Sequence, residues 1–298
     1  MSQSRVVMVK TRGAFSTDGM LDAKRVQAML QRGIGLLGEH GRWQDTLGAY
    51  FRSRDIIGLK INTIGGKAIS TRPELAESFA RLLTAGGFPA DNIVIWDRTN
   101  RELREAGYSL RMNRAGLKVY GTNSRGVGYG SRLVAHRNVG SLFSAIQERI
   151  VTASVSLAIL KDHGMAGVTA GMKNYFGAIH NPNKYHDNHC DPFVAEVFET
   201  PLIRDKHRLS IIDALRVQYH RGPAYHARWA EPAQTLIFST DPVAADFTGW
   251  RLIEQLRAGA GLPTLEEEAR YPDYILTAAR MGLGRARSKD IRLIVEEI

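Results

Sequence analysis

A single cysteine, Cys190, occurs in 298 residues. The chain therefore forms no intrachain disulfide, and by itself it builds neither a four-thiolate zinc site nor a cysteine-ligated iron–sulfur cluster. No apolar run approaches the roughly 20 residues that cross a bilayer, so no membrane partner is expected. The segment 1–10 passes directly into the strand-like Arg5-Val-Val-Met-Val-Lys10, without the charged, apolar and small-residue succession of a signal peptide. A cytoplasmic location is the expectation. Lys and Arg exceed Asp and Glu by 40 to 30, a net charge of +10, yet no block of five or six basic residues and no basic face with interleaved aromatics is present. That argues against nucleic acid and for a small anionic ligand. The 29 glycines match neither the Walker-A loop nor the dinucleotide fingerprint.

What is present is an alternation of short apolar runs with longer helical patterns, in a chain 44% hydrophobic and 23% charged. This pattern predicts an α/β fold with a mainly parallel sheet and helices on both faces. Strands are expected at 5–10, 56–61, 92–96, 117–120, 154–160, 209–212 and 235–239. A helix is expected over Pro73–Leu83, with Thr71 as its N-cap and Pro73 in its first turn. Thr240 is expected to cap a second helix, before Asp241-Pro242. The whole chain reads as one domain, with lobes at 1–150 and 151–298 around a central crevice as the alternative.

Five of the apolar runs give way to polar groups at their carboxyl ends: Lys60 and Asn62, Asp97, Lys161-Asp162-His163, Asp213, and Thr240-Asp241. Ligands of open α/β sheets bind outside those ends. Some of the acids simply cap the helices that follow, but Lys161 and His163 are not preferred caps. Lys60, Asn62, Lys161, His163, Lys173 and Asn174 are the candidate catalytic residues, with the lysines to hold an anion or oxyanion and His163 as general base. Asp97, Thr169, Gly171, Asp213 and Asp241 are candidates for binding substrate or cofactor.

Residues 161–192 are too polar and glycine-rich for a core element and hold four of the nine histidines: His163, His180, His186 and His189. Imidazole is the commonest side-chain ligand of Zn, Ni and non-haem Fe, so these four are the candidate ligands of a divalent metal. A solvated His/Asn loop is the alternative, and Cys190 is a candidate nucleophile only if its thiol is acidified.

Leu59-Lys-Ile-Asn62, Ser70-Thr-Arg-Pro73, the strand ending in Asp97, Lys161-Asp-His163, Thr169-Ala-Gly-Met-Lys-Asn174 with Gly177, and Ser239-Thr-Asp-Pro-Val-Ala-Ala-Asp246 occur in that order. Together they resemble the domain-of-unknown-function family numbered 362, over about residues 5–255. More distantly, the spacing of His163, Lys173 and His189 is similar to the His–Lys–His set of nickel-pincer lactate racemases. That resemblance implies an organometallic cofactor and a 2-hydroxy acid. Three functions follow as expectations: an enzyme acting on a small carboxylate-like anion, with or without a metal cofactor; a metal or cofactor carrier without turnover; and a basic nucleic-acid binder.

Overall fold

Every second residue of the main strands belongs to one of two separate apolar clusters, and this sorting defines the architecture. In a computed structural model of the chain, which describes residues 3–17, 19–39 and 41–298, the strands are β1 (Ser4–Lys10), β2 (Ile57–Ile61), β3 (Ile93–Asp97), β4 (Lys118–Gly121), β5 (Val134–His136), β6 (Val139–Ser141), β7 (Ala153–His163), β8 (Gly167–Thr169), β9 (His207–Gln218), β10 (Ala230–Glu231), β11 (Thr235–Ser239) and β12 (Ile291–Glu297). The helices are α1 (Ala23–Leu37), α2 (Trp43–Tyr50), α3 (Pro73–Ala85), α4 (Asn100–Glu105), α5 (Phe193–Glu199), α6 (Pro201–Arg204), α7 (Pro242–Gly259) and α8 (Asp273–Arg280).

All strands except the β5–β6 hairpin form one sheet in the order β12-β1-β11-β9-β7-β2-β3-β4, with β8 and β10 appended to β7 and β9. Five of the seven pairings along this path are parallel. The fold is thus α/β with a mainly parallel sheet. Ile57, Leu59, Ile61, Ile93, Ile95, Ile211 and Phe238 face a cluster built with α1 and α3. Val94, Trp96, Ile212 and Ile237 face the opposite cluster, built with α5, α7 and α8. This alternation follows from the period of two along a strand, and each large side chain so buried contributes roughly 1.5–3 kcal/mol. No helix of the described residues is long and apolar enough to cross a membrane.

The expected strands all form, several of them longer than the apolar run suggested. β12 was not expected, because its exposed alternate positions, Leu293 and Val295, interrupt the polar-out pattern of an edge strand. Of the expected strands, β11 runs antiparallel to both of its neighbours. Its carboxyl end therefore lies at the opposite edge of the sheet from those of β2, β3 and β7. Both expected caps also differ. Thr71 Oγ1 instead accepts from Asn62 N at 3.2 Å and donates to the carbonyl of Leu157 at 2.9 Å, leaving Arg72 at the N-cap of α3. Asp241 rather than Thr240 caps α7, accepting from Ala244 N.

Beyond Lys161 the β7–β8 hairpin is tied to α7 by a buried ionic network. Asp162 is fully buried and accepts from Arg270 Nη1 at 2.8 Å and from Gly222 N at 2.6 Å. Arg257 of α7, also fully buried, donates to the carbonyls of Pro263 and Tyr219 and pairs with Glu268 at 2.8 Å. Its Nη1 is 3.8 Å from Asp162. Breaking such a network from one side strands the remaining charges. Arg257→Met is expected to cost about 3–5 kcal/mol in urea-induced unfolding, and a loss below about 1 kcal/mol, within the reach of an ordinary surface change, would contradict this reading.

Candidate active site

The connection after β2 passes through α3 on one face of the sheet to β3, while the connection after β7 passes through α5 on the other face to β9. Neighbouring strands whose connections leave in opposite directions open a crevice at their carboxyl ends. β2 and β7 are adjacent, and a cavity of about 190 Å³ opens there, lined by Lys60, Asn62, Asp97, Arg98, Glu102, Lys161, His163, Thr169, Lys173, Asn174, Phe176, Gly177 and His186 among others. The site is small beside the roughly 300–1,000 Å³ of drug-sized ligand pockets.

Its floor is a closed polar cluster. Lys60 Nζ donates to Asp97 Oδ1 at 2.7 Å, to the carbonyl of Ile61 at 2.7 Å and to Asn174 Oδ1 at 3.1 Å. Asp97 Oδ2 accepts from Thr63 N and Oγ1, and Asn174 Nδ2 returns to the carbonyl of Lys60 at 2.7 Å. All three ammonium protons are used, and the side chains are 1% and 7% exposed. The pair is therefore neutral and rigid. A Cβ at Gly177 would lie 2.7 Å from Lys60 Nζ and 2.9 Å from Asp97 Oδ1, so only glycine lets that backbone cross the cluster.

Lys161 and Lys173 are different. Lys161 is 1% exposed, and its Nζ has no hydrogen-bond partner among the described residues. Burial, with Lys173 adding to it, pulls its ammonium down to about 8. Lys173 is buried and has no carboxylate partner in an ion pair among the described residues. Its Nζ meets His186 Nε2 at 3.3 Å and the face of Phe176 at 4.6 Å, and burial pulls it down to about 8 as well. The 170–173 turn is fixed by Asp246 of α7, which accepts from Gly171 N at 2.7 Å and Met172 N at 3.0 Å.

The two histidines of the cavity are held in opposite senses. His163 Nδ1 accepts from the N–H groups of Met165 and Ala166, each at 3.2 Å, so the proton of its neutral ring sits on Nε2. Burial, then Lys173, hold its pKa down to about 2. His186 Nδ1 lies 3.0 Å from the carbonyl of Pro182 and donates to it, which leaves the Nε2 lone pair for Lys173. The rings stack 5.6 Å apart.

The remaining expected residues lie elsewhere. Asp241 bonds Ser4 Oγ at 2.5 Å and Arg285 N at 2.9 Å at the far edge, because β11 is antiparallel. Asp213 lies inside β9 rather than at its end, buried on the α3 face, where desolvation raises it to about 7. Gly171 is spent on Asp246. His180 and His189 are exposed and outside the cavity. Asn188, His189 and Cys190 all have positive φ, and this turn leaves His189 in solvent and Cys190 buried. Burial raises the Cys190 thiol, so it is not an activated nucleophile. The four histidines thus do not assemble, and no group of three or more His, Cys, Asp or Glu able to hold a metal exists among the described residues. In His163 neither nitrogen offers a free lone pair. The residues do not fit a metal, nor the His163–Lys173–His189 set. His186 is the histidine that reaches Lys173. Arg98, Glu102, Phe176 and Asp246 were not expected at the site. Of these, Asp246 carried a readable signal, a single acid in the apolar run Val243-Ala-Ala-Asp246.

An unpartnered buried ammonium costs stability. Lys161→Met is expected to stabilise the fold by about 1–4 kcal/mol at pH 7. Because the folded pKa of about 8 lies below the ordinary lysine value of 10.5, the penalty is complete below pH 8 and fades as the pH rises to about 10.5. The advantage of the variant should shrink across that window in urea titrations, and a variant less stable than the parent at pH 7 would contradict the assignment.

No match was found among curated proteins. A crystal structure of a protein from Thermotoga maritima is similar at 11% identity and a TM-score of 0.44, over 81% of this chain and 60% of that one. The present chain thus spans 60% of that protein's length. The model of the family described as Domain of unknown function (DUF362) matches residues 57–251, from β2 to the middle of α7 and across every cavity residue named above. The chain belongs to that family.

Proposed function

We propose that the protein is an enzyme acting on a small carboxylate in the cavity between β2 and β7. One observation carries this reading: among the described residues, Lys161 holds a buried ammonium with no hydrogen-bond partner, beside Lys173, which has no carboxylate partner either, while the floor acid Asp97 is already paired with Lys60. A buried uncompensated charge is costly, and an anion bound between the two lysines removes that cost. Turnover rather than carriage is supported by the two histidines. Nε2–H of His163 is a neutral donor suited to a substrate oxygen on which charge develops. His186 Nε2 is a proton acceptor in contact with Lys173, a group that titrates near working pH. The volume suits a molecule of a few heavy atoms. The ligand geometry gives no support to a metal carrier.

Acetate, lactate and pyruvate should bind, and their amides should not, in isothermal titration. At pH 8.5 binding should take up protons, because a nearby anion raises both lysine pKa values from about 8. Lys161→Met should weaken binding at least tenfold. A substrate acid should exchange a carbon-bound hydrogen with deuterated water in the presence of the parent protein. Equal binding of acids and amides would sink the anion site, and binding of acids without exchange for any of them would favour carriage.

A further inference from the structure

The three lysines of the cavity share a charge but not an environment, and the difference concerns what each amine can do. Lys60 gives every proton to an oxygen acceptor. Lys161 gives none. Lys173 meets only a ring nitrogen and a ring face. A lysine held by a carboxylate keeps its protons and is not a nucleophile; one whose partner is a neutral base can release a proton to it. His186 is such a base, since its Nδ1–H is tied to the carbonyl of Pro182 and its Nε2 lone pair faces Nζ at 3.3 Å.

We infer that Lys173 is an amine nucleophile that forms an imine with the carbonyl of a 2-oxo acid. The inference rests on the anion reading above and names its substrate class. Lys161 takes the substrate carboxylate, and His163 Nε2–H, fixed by the two backbone N–H groups on Nδ1, donates to the carbonyl oxygen. Desolvation lowers the Lys173 amine to about 8, so a useful fraction is neutral at working pH.

The step balances within the site. The Lys173 ammonium passes a proton to His186 Nε2, and the freed lone pair attacks the carbonyl carbon. A C–N bond forms while the carbonyl π pair moves to oxygen, which takes the first proton back. The nitrogen then releases a second proton to that oxygen, the C–O bond breaks, and water leaves. Ammonium and ketone have become iminium and water, with one positive charge on each side and no change of oxidation state. The iminium draws electrons from the adjoining carbon, which is what proton loss or decarboxylation there requires. Lys161 does not take this role, because no base among the described residues is hydrogen-bonded to its Nζ.

The test is reductive trapping. The parent protein is incubated at pH 8 with glyoxylate, pyruvate or 2-oxobutyrate, treated with sodium borohydride, and analysed by intact mass and peptide mapping. Lactate, which has no carbonyl, serves as the control ligand through its shift of the melting temperature. One reduced adduct per chain is expected with at least one of the acids, on Lys173. It should be absent from Lys173→Arg and formed at least tenfold more slowly in His186→Asn, with the fold of both checked by near-ultraviolet circular dichroism. Should lactate raise the melting temperature while none of the three acids leaves an adduct, the imine falls and the anion site stands. An adduct on Lys161 or on surface lysines alone also overturns it. If neither lactate nor any oxo acid stabilises the protein, the anion reading itself is lost, and the imine with it.

Discussion

Lys60 and Asp97 meet 2.7 Å apart beneath the cavity, and the character of everything above them depends on that contact. The pair joins β2 to β3 and, through Asn174, binds the turn after β8 to the sheet. It also ties up the floor carboxylate, whose charge still favours the Lys161 ammonium but less than burial and Lys173 oppose it. Without Lys60 beside it, Asp97 would offset more of the burial of Lys161. With Asp97 committed to Lys60, Thr63 and Arg98 N, neither remaining ammonium has an ion-pair partner among the described residues. Desolvation then dominates both of them.

A second constraint is the pinning of the loops that follow the strands. Asp162, Arg257 and Arg270 fix the hairpin after Lys161, and Asp246 fixes the turn before Lys173. These buried acids are structural, yet they decide where the cavity lysines stand. Such networks are expensive to desolvate, and an unpartnered Lys161 adds to that expense. A fold that tolerates both has set stability aside for a site held in one geometry.

Much of this was legible in the sequence, for physical reasons that also mark where legibility stopped. Apolar runs ending in Lys60, Asp97 and Lys161 announce parallel strands and their carboxyl ends, because burial on both faces demands continuous apolar residues. Asn62, Asp97, Lys161, His163 and Lys173 accordingly line one cavity. Strand direction is not encoded in such runs. The connection from β9 to β11 runs through β10 with no crossover helix and turns the chain back, so Asp241 arrives at the wrong edge, a reversal that no local pattern reports. Spacing misled in the histidine loop as well. Counting residues selects His189, whereas left-handed backbone at Asn188–Cys190 carries it into solvent and leaves His186 on Lys173. Which ring nitrogen is bare, the feature that separates a donor from a metal ligand, depends on backbone N–H groups invisible to composition.

The proposed anion site depends on two buried lysines, Lys161 and Lys173, and their titration is its most direct test. Nuclear magnetic resonance of lysine side chains, assigned through Lys161→Met and Lys173→Arg, reads both pKa values with and without lactate. Both should lie near 8 in the free protein, and both should rise by more than one unit when lactate binds, since an opposite charge a few ångströms away shifts a pKa by about 1–3 units. Values near the ordinary lysine value of 10.5 that lactate leaves unmoved would contradict it.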